Sequence, residues 1–243
     1  MADKLSRDKI LLRYQHLKDI WPPEDLWHSH SRREIHGTVN AWIQGYSCSR
    51  GRILNIGSGG SSYGLSELDM VQTDLCNRNL PSANGVVCDA ENLSFINETF
   101  DAVICVGSVL NYCDALLAIS EMARVLKKGG LLIIEFEKSD SFEYLGTGIF
   151  GKNAAIATTF YAEEEEKIWV YSERYVCGII HAMGLTCRRR KPVHIFSSLF
   201  VKFIPVRLAA TLASIDGLAS TIPLLRRYST NIIFLCEKSS PAC

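Results

Sequence analysis

A short apolar run, Ile53-Leu54-Asn55-Ile56, passes without a break into Gly57-Ser58-Gly59-Gly60-Ser61-Ser62-Tyr63-Gly64. A strand that ends in such a turn lets backbone amides approach a ligand that side chains would keep away. Asp74 closes the next apolar run, 17 residues after Gly57, where a carboxylate can accept both hydroxyls of a ribose. Asp89 closes the third run and is placed to receive an exocyclic amine. Alone, the glycines suit any tight turn and each aspartate suits a strand end. In an open sheet, polar groups at the carboxyl ends of three consecutive strands converge on one crevice, and this trio in order describes an adenosine pocket.

A second group of residues could handle an acceptor molecule. Asn111 and Tyr112 follow the fourth apolar run, Glu135 and Glu137 lie at the fifth, and His28 and His30 lie beside Trp27. Glu137 is the leading general-base candidate, with Tyr112 and His30 beside it; Asn111, Tyr112, Trp27 and His28 are the candidate substrate contacts. The competing reading of Glu137 is a solvated charge at a strand end. His28, His30 and His36 lack a plausible fourth ligand, so no metal is expected.

The elements that must position these groups are legible in the pattern. Ile10, Tyr14, Leu17 and Trp21 recur at helical spacing, and Ile35, Val39 and Trp42 do so after Pro22-Pro23, which gives two amphipathic helices in the first fifty residues. From Arg52 the texture changes to short apolar runs, at Ile53 to Ile56, Met70 to Thr73, Gly85 to Cys88, Ala102 to Val106 and Leu131 to Phe136, which read as strands buried on both faces. Asp114 caps a crossover helix carrying Leu116, Ile119, Ala123 and Leu126. Ser172 to Met183 is a further helix, and Leu185 to about Phe196 and Asn231 to Glu237 complete seven strands. The fold expected is α/β: a doubly wound, seven-stranded, mostly parallel sheet.

Residues 1–50 are expected to form a helical cap on a domain spanning 51–243, with 197–229 an apolar helical insertion between the last two strands. Its stripe of Leu208, Leu212, Ile215, Ala219 and Ile222 has an almost uncharged back face, which calls for an apolar substrate, a second subunit of a homodimer, a lipid surface or, for an internal helix, the first fifty residues to cover it. Glu163 to Glu166 reads as a solvated helix start, and Arg188 to Lys191 as a solvated strand end.

Composition narrows the classes. The 243 residues are 47% hydrophobic and carry 26 basic and 26 acidic side chains, so the chain has a sizeable core and no overall positive field to recruit nucleic acid. Nine scattered cysteines without a Cys-x-x-Cys spacing read as reduced thiols, and the charged start from Met1 to Lys9 lacks a signal peptide's apolar core; a cytoplasmic setting is expected. The most apolar window, Leu199 to Leu225, holds Lys202, Arg207 and Asp216, so no membrane span is expected.

From Ile53 to Glu137 the sequence resembles the small-molecule branch of the class I S-adenosylmethionine-dependent methyltransferases. The resemblance rests on the glycine turn, Thr73-Asp74-Leu75, Asp89-Ala90, Thr99-Phe100-Asp101-Ala102-Val103-Ile104-Cys105, and Arg124-Val125-Leu126-Lys127-Lys128-Gly129-Gly130-Leu131-Leu132. It implies S-adenosylmethionine as cofactor, with Asn55, Gly57, Ser58 and Gly59 toward its methionine part and Asp74 with Leu75 toward the ribose. Asp89 and Ala90 would read adenine, and Val106 and Gly107 would form the far wall. Asn55 stands where the family often has an acid, Ser61 stands at the usual third glycine, and the first crossover helix is nearly absent between Ser58 and Met70. A dinucleotide-binding dehydrogenase shares the glycines and acid, but the Arg-Val-Leu-Lys-Lys-Gly-Gly stretch argues against it. The activity implied is methyl transfer to a small or medium-sized organic substrate. A catalytically silent binding module and a polyamine-type alkyl transfer are the competing readings.

Overall fold

A computed structural model describes residues 7–17, 20, 25–46, 51–161, 164–195, 197–198 and 222–240. The strands of the main sheet are β1 (Ile53–Ile56), β2 (Met70–Asp74), β3 (Gly85–Val87), β4 (Phe100–Cys105), β5 (Leu126–Glu137), β8 (Leu185–Val193) and β9 (Asn231–Lys238), in the order β3-β2-β1-β4-β5-β9-β8. The first five are parallel, and β9 runs antiparallel to both β5 and β8. The order reverses at β1, so the ends of β1, β2 and β4 open onto one crevice. The seven-stranded, mostly parallel sheet expected from the sequence is therefore the architecture.

Two apolar layers cover it. One face packs under α3 (Ala115–Val125) and α4 (Glu173–Ala182), through Ile119, Met122, Val176 and Ile180. The other packs under α2 (Leu26–Gly45), whose Ile35, Val39 and Ile43 meet Ile53, Ile104, Ile133 and Ile233. Helix α2 thus covers a face that a crossover helix between β1 and β2 would take. Asp25 caps it, accepting from the His28 backbone at 3.1 Å. Helix α1 (Arg7–His16) buries no residue fully; its Ile10, Leu11 and Tyr14 lie over the crevice instead.

Three local expectations change. The α3 stripe is shifted: Leu116 is exposed, and Ala115, Ala118, Ile119 and Met122 face the core, because the Asp114 cap fixes the helix phase through the Leu116 and Leu117 amides. The acidic run is no helix start. β6 (Ala154–Tyr161) and β7 (Glu164–Tyr171) pair as an antiparallel hairpin between β5 and α4, with Ile168 and Val170 alternating into a small core around Tyr144. The sixth strand ends at Val193, with His194 beyond it in a left-handed conformation.

The basic run of β8 is spent on separate partners: Arg188 pairs with Glu237, Arg190 with Glu173 and Lys191 with Glu34, while Arg189 sits over Tyr46. The short helix α5 (Pro223–Arg226) leads into β9. Most of the 197–229 insertion, including Leu208, Leu212, Ile215 and Ala219, lies outside the described residues, as does Trp21. Among the described residues no helix is long and apolar enough to cross a membrane.

Candidate active site

The glycine turn after β1 is built to be tight. Gly57 has φ +62°, and a Cβ there would lie 2.3 Å from Val109 Cγ2; Gly59 has φ +52°, and its Cβ would lie 2.9 Å from Ile20 Cδ1. Only glycine meets both demands. The turn is anchored to β2: Ser58 N donates to Thr73 O at 3.0 Å, and Gly59 N donates to Asp74 Oδ2 at 3.0 Å. Asp74 Oδ1 accepts from Cys76 N at 3.0 Å, so this carboxylate already fixes two loops.

Around the turn lies a crevice walled by Gly57, Ser58, Gly59, Asp74, Leu75, Asp89, Ala90, Val106 and Gly107. Nine of the ten residues assigned to the cofactor by resemblance are thus brought together. Asn55 is the exception. It is fully buried behind the turn, where Nδ2 donates to Ser61 O at 2.8 Å and Oδ1 accepts from Tyr63 OH at 3.4 Å. An amide serves there because it offers both a donor and an acceptor to the loop. Arg7 of α1 pairs with Asp89 at 2.6 Å and also with Glu91, so α1 is tied across the crevice mouth.

The far wall depends on Glu135. Gly107 and Ser108 take consecutive positive φ values, +81° and +58°, which turns both amides toward one point. Glu135 Oε2 accepts from them at 2.8 and 2.7 Å, and Oε1 accepts from Asn231 Nδ2 at 2.6 Å. Full burial pushes this carboxyl up from the usual range, and the three bonds pull it back.

A second chamber adjoins the first. Tyr14, Ile20, Ile35, Gly107 and Tyr112 line both, and Trp27, His28, Ser31, Ser108, Glu135, Glu137, Tyr161, Glu166 and Asn231 complete the second. Glu137 accepts from Ser108 Oγ at 3.1 Å. Burial, then the neighbouring Glu143 and Glu135, push its carboxyl up to about 8. Tyr112 OH donates to Glu166 Oε2 at 3.0 Å and accepts from Tyr14 OH at 3.1 Å; burial, with Tyr14 and Glu166 next to it, holds the phenol well above its ordinary range. Arg13 reaches Glu166 at 3.2 Å.

Of the residues proposed for acceptor chemistry, Glu137, Tyr112, Trp27 and His28 share this chamber. Asn111 does not line it: Nδ2 donates to Glu137 O at 3.2 Å and Trp169 O at 2.6 Å, and Oδ1 accepts from Glu137 N, so it clips the end of β5 to the hairpin. His30 lies apart from the chamber wall, 5.1 Å from the His194 ring, while Trp27 stacks on that same ring at 3.7 Å. His28 Nδ1 pairs with Asp25 and His36 Nε2 with Ser61 Oγ, and among the described residues no group of three His, Cys, Asp or Glu side chains could hold a metal ion. Sequence reasoning missed Glu166, Tyr161, Arg13 and Tyr14. A signal existed for the first two: β-prone Ile-Ala-Thr-Thr-Phe-Tyr and Lys-Ile-Trp-Val-Tyr flank the acidic run, the pattern of a hairpin.

Residues 51–134 match the family model described as a methyltransferase domain. The chain has the fold and crevice of a class I S-adenosylmethionine-dependent methyltransferase, and S-adenosylmethionine is the cofactor of that class. The chain is 32% identical over 111 residues to the probable tRNA methyltransferase 9B of Homo sapiens, covering 40% of this chain and 24% of that protein. It spans about a quarter or less of the length of the curated relatives it matches. Among solved structures, the PH0226 protein of Pyrococcus horikoshii OT3 superimposes with a TM-score of 0.61 at 16% identity, over 94% of this chain and 99% of that one. The 1,6-didemethyltoxoflavin-N1-methyltransferase of Burkholderia thailandensis, solved with 1,6-didemethyltoxoflavin and S-adenosylhomocysteine, does so with a TM-score of 0.56 at 11% identity, over 96% and 87%.

Proposed function

We propose that this chain transfers a methyl group from S-adenosylmethionine, held in the first crevice, to a small or medium-sized organic acceptor held in the second chamber. The observation that carries this reading is the continuity of the two chambers through Gly107, Tyr112, Tyr14, Ile20 and Ile35. The cofactor supplies an activated methyl group on a sulfonium, so the protein's task is alignment and, for a protonated acceptor, removal of a proton.

The residues fit such a cofactor. Gly57 and Gly59 place no side chain between the backbone and the crevice, and Gly57, Ser58 and Gly59 would lie under the methionine part. Asp74, with Leu75 beside it, would take the ribose, and Asp89 with Ala90 would meet adenine. Val106 and Gly107 would back the ring, their conformation held by Glu135. Glu137 is the acceptor's base and Tyr112 orients Glu166 beside it; Trp27 and His28 bound the acceptor. Residues 1–50 act as a cap, with Arg7 and Tyr14 closing over the crevice in the domain that follows. We read the setting as cytoplasmic, on the strength of nine scattered cysteines without Cys-x-x-Cys spacing.

Titration calorimetry with S-adenosylmethionine, S-adenosylhomocysteine and NAD tests the reading. The first two are expected to bind at comparable micromolar levels and NAD not at all. Heat from NAD, with neither sulfur ligand bound, would refute it.

A further inference from the structure

The second chamber holds more carboxyl groups than its described residues provide cations for. Glu135 and Glu137 project from alternate positions at the end of β5 into the same space, and no Lys or Arg among the described residues pairs with either. Glu135 is fully engaged by the Gly107, Ser108 and Asn231 donors. Glu137 is not. Its Oε1 has the Ser108 hydroxyl, and its Oε2 has no donor among the described residues. A half-buried carboxylate without a counter-charge is costly to maintain, and a perturbed carboxyl in a cleft is a candidate for ligand binding.

The chamber wall also shows the chemistry it favours. Arg13, entering from α1, places its guanidinium 3.2 Å from Glu166 and 5.7 Å from the centre of the Tyr161 ring, so a cation already sits between a carboxylate and an aromatic face on one side. Glu137 lines the same cavity as Trp27, Tyr14 and Tyr112, and no Lys or Arg is among the described residues that line it. We infer that the chamber receives a protonated amine, its nitrogen against Glu137 Oε2 and its apolar part against the aromatic wall. The inference rests on the methyl-transfer reading and names its acceptor class. The ammonium proton passes to Oε2, leaving a carboxylic acid on Glu137 and a neutral amine with a free lone pair.

The groups acting on Glu137 support that transfer. Glu143 after β5, Glu135 on β5 and Glu166 on β7 all raise its carboxyl, and only Ser108 lowers it. His28, Tyr14, Tyr112 and Tyr161 complete the ionisable wall, and Arg13 acts through Glu166. A carboxyl raised to about 8 lies about 2.4 pH units below an alkylammonium at about 10.4, so the proton transfer is uphill but far less so than to an ordinary carboxylate.

The test compares molecules that differ only in charge. Titration calorimetry on the full chain saturated with S-adenosylhomocysteine would use phenethylamine, 2-phenylethanol and phenylacetate, then hexylamine, hexanol and hexanoate. Each amine is expected to bind at least about tenfold tighter than its alcohol or acid counterpart, with affinity falling about tenfold per pH unit below about 8 as Glu137 gains its proton. Glu137→Gln is expected to bring the amine-to-alcohol ratio near one and leave S-adenosylhomocysteine affinity unchanged. Equal or tighter binding of the alcohols or acids, an amine preference that survives Glu137→Gln, or no amine binding while S-adenosylhomocysteine binds would each overturn the inference. If Glu137→Gln does not fold, the pH series on the unaltered chain decides: affinity that is flat from pH 6 to 8 overturns it. Failure of S-adenosylhomocysteine itself to bind would strike the methyl-transfer reading instead.

Discussion

Glu137→Gln should make the protein more stable, although it removes the residue assigned the chemistry. The folded carboxyl titrates at about 8 and the unfolded one at about 4.5, so the folded state prefers the proton. Below pH 4.5 both states are protonated and the group is neutral to stability. Between those values the unfolded chain ionises first, and stability drains away as pH rises until it levels off above 8. At pH 7 the cost integrates to about 3 kcal/mol, with about 1 kcal/mol at pH 5 and 4 to 5 kcal/mol above pH 9 as upper limits. Glutamine keeps an oxygen for the Ser108 hydroxyl and carries no charge, so it escapes this cost. For a chain of this length, a gain of about 3 kcal/mol corresponds to roughly 6 to 12 °C in Tm.

Thermal melts of both proteins at pH 5, 7 and 9 measure it. Glu135 and Glu166 are raised as well and repel Glu137, so the difference between the proteins reports Glu137 together with its repulsion of these neighbours. A gap that widens from pH 5 to pH 9 is expected, as is loss of turnover. A constant gap, or a variant less stable at pH 9, would mean that Glu137 is solvated and ionised as an ordinary strand-end charge, and its role as base would fall with it.

Glu135→Ala should act in the opposite sense: it strands three donors, at the half-buried Gly107 and Ser108 and the buried Asn231, and is expected to lower stability by about 3 kcal/mol in urea unfolding. A loss under about 1 kcal/mol would show that the loop does not depend on it. Asp74→Ala should weaken S-adenosylhomocysteine binding by about 1 to 3 kcal/mol in calorimetry while the chain stays folded, and unchanged affinity would assign the ribose to another residue. Overnight treatment with EDTA should leave cofactor affinity and turnover intact; stoichiometric zinc, lost together with activity, would contradict the absence of a metal role.

The two chambers differ in how far the sequence exposes them. The cofactor crevice was readable because each of its contributors sits at the end of a strand: Gly57 after β1, Asp74 at β2, Asp89 beyond β3 and Gly107 beyond β4. Local pattern places a strand end, and sheet topology then gathers the ends without further information. Asn55 misled because its position in the pattern matched a cofactor contact while its amide served the turn behind it. The second chamber is assembled across much longer separations. Tyr14 of α1, Trp27 of α2, Glu137 of β5 and Glu166 of β7 meet only because a hairpin folds back against β5 and α1 crosses the crevice. No local period records either event, and the acidic run alone fits a solvated helix start as well as a strand. Asn111 and His30 show the same limit from the other side, since their residue types suited the chemistry but burial turned one toward backbone carbonyls and the other toward His194. A strand-end position therefore carries information about a site before the fold is known. A residue type without such a position acquires meaning only from its neighbours, and here those neighbours make Glu137 a carboxylate short of a cation.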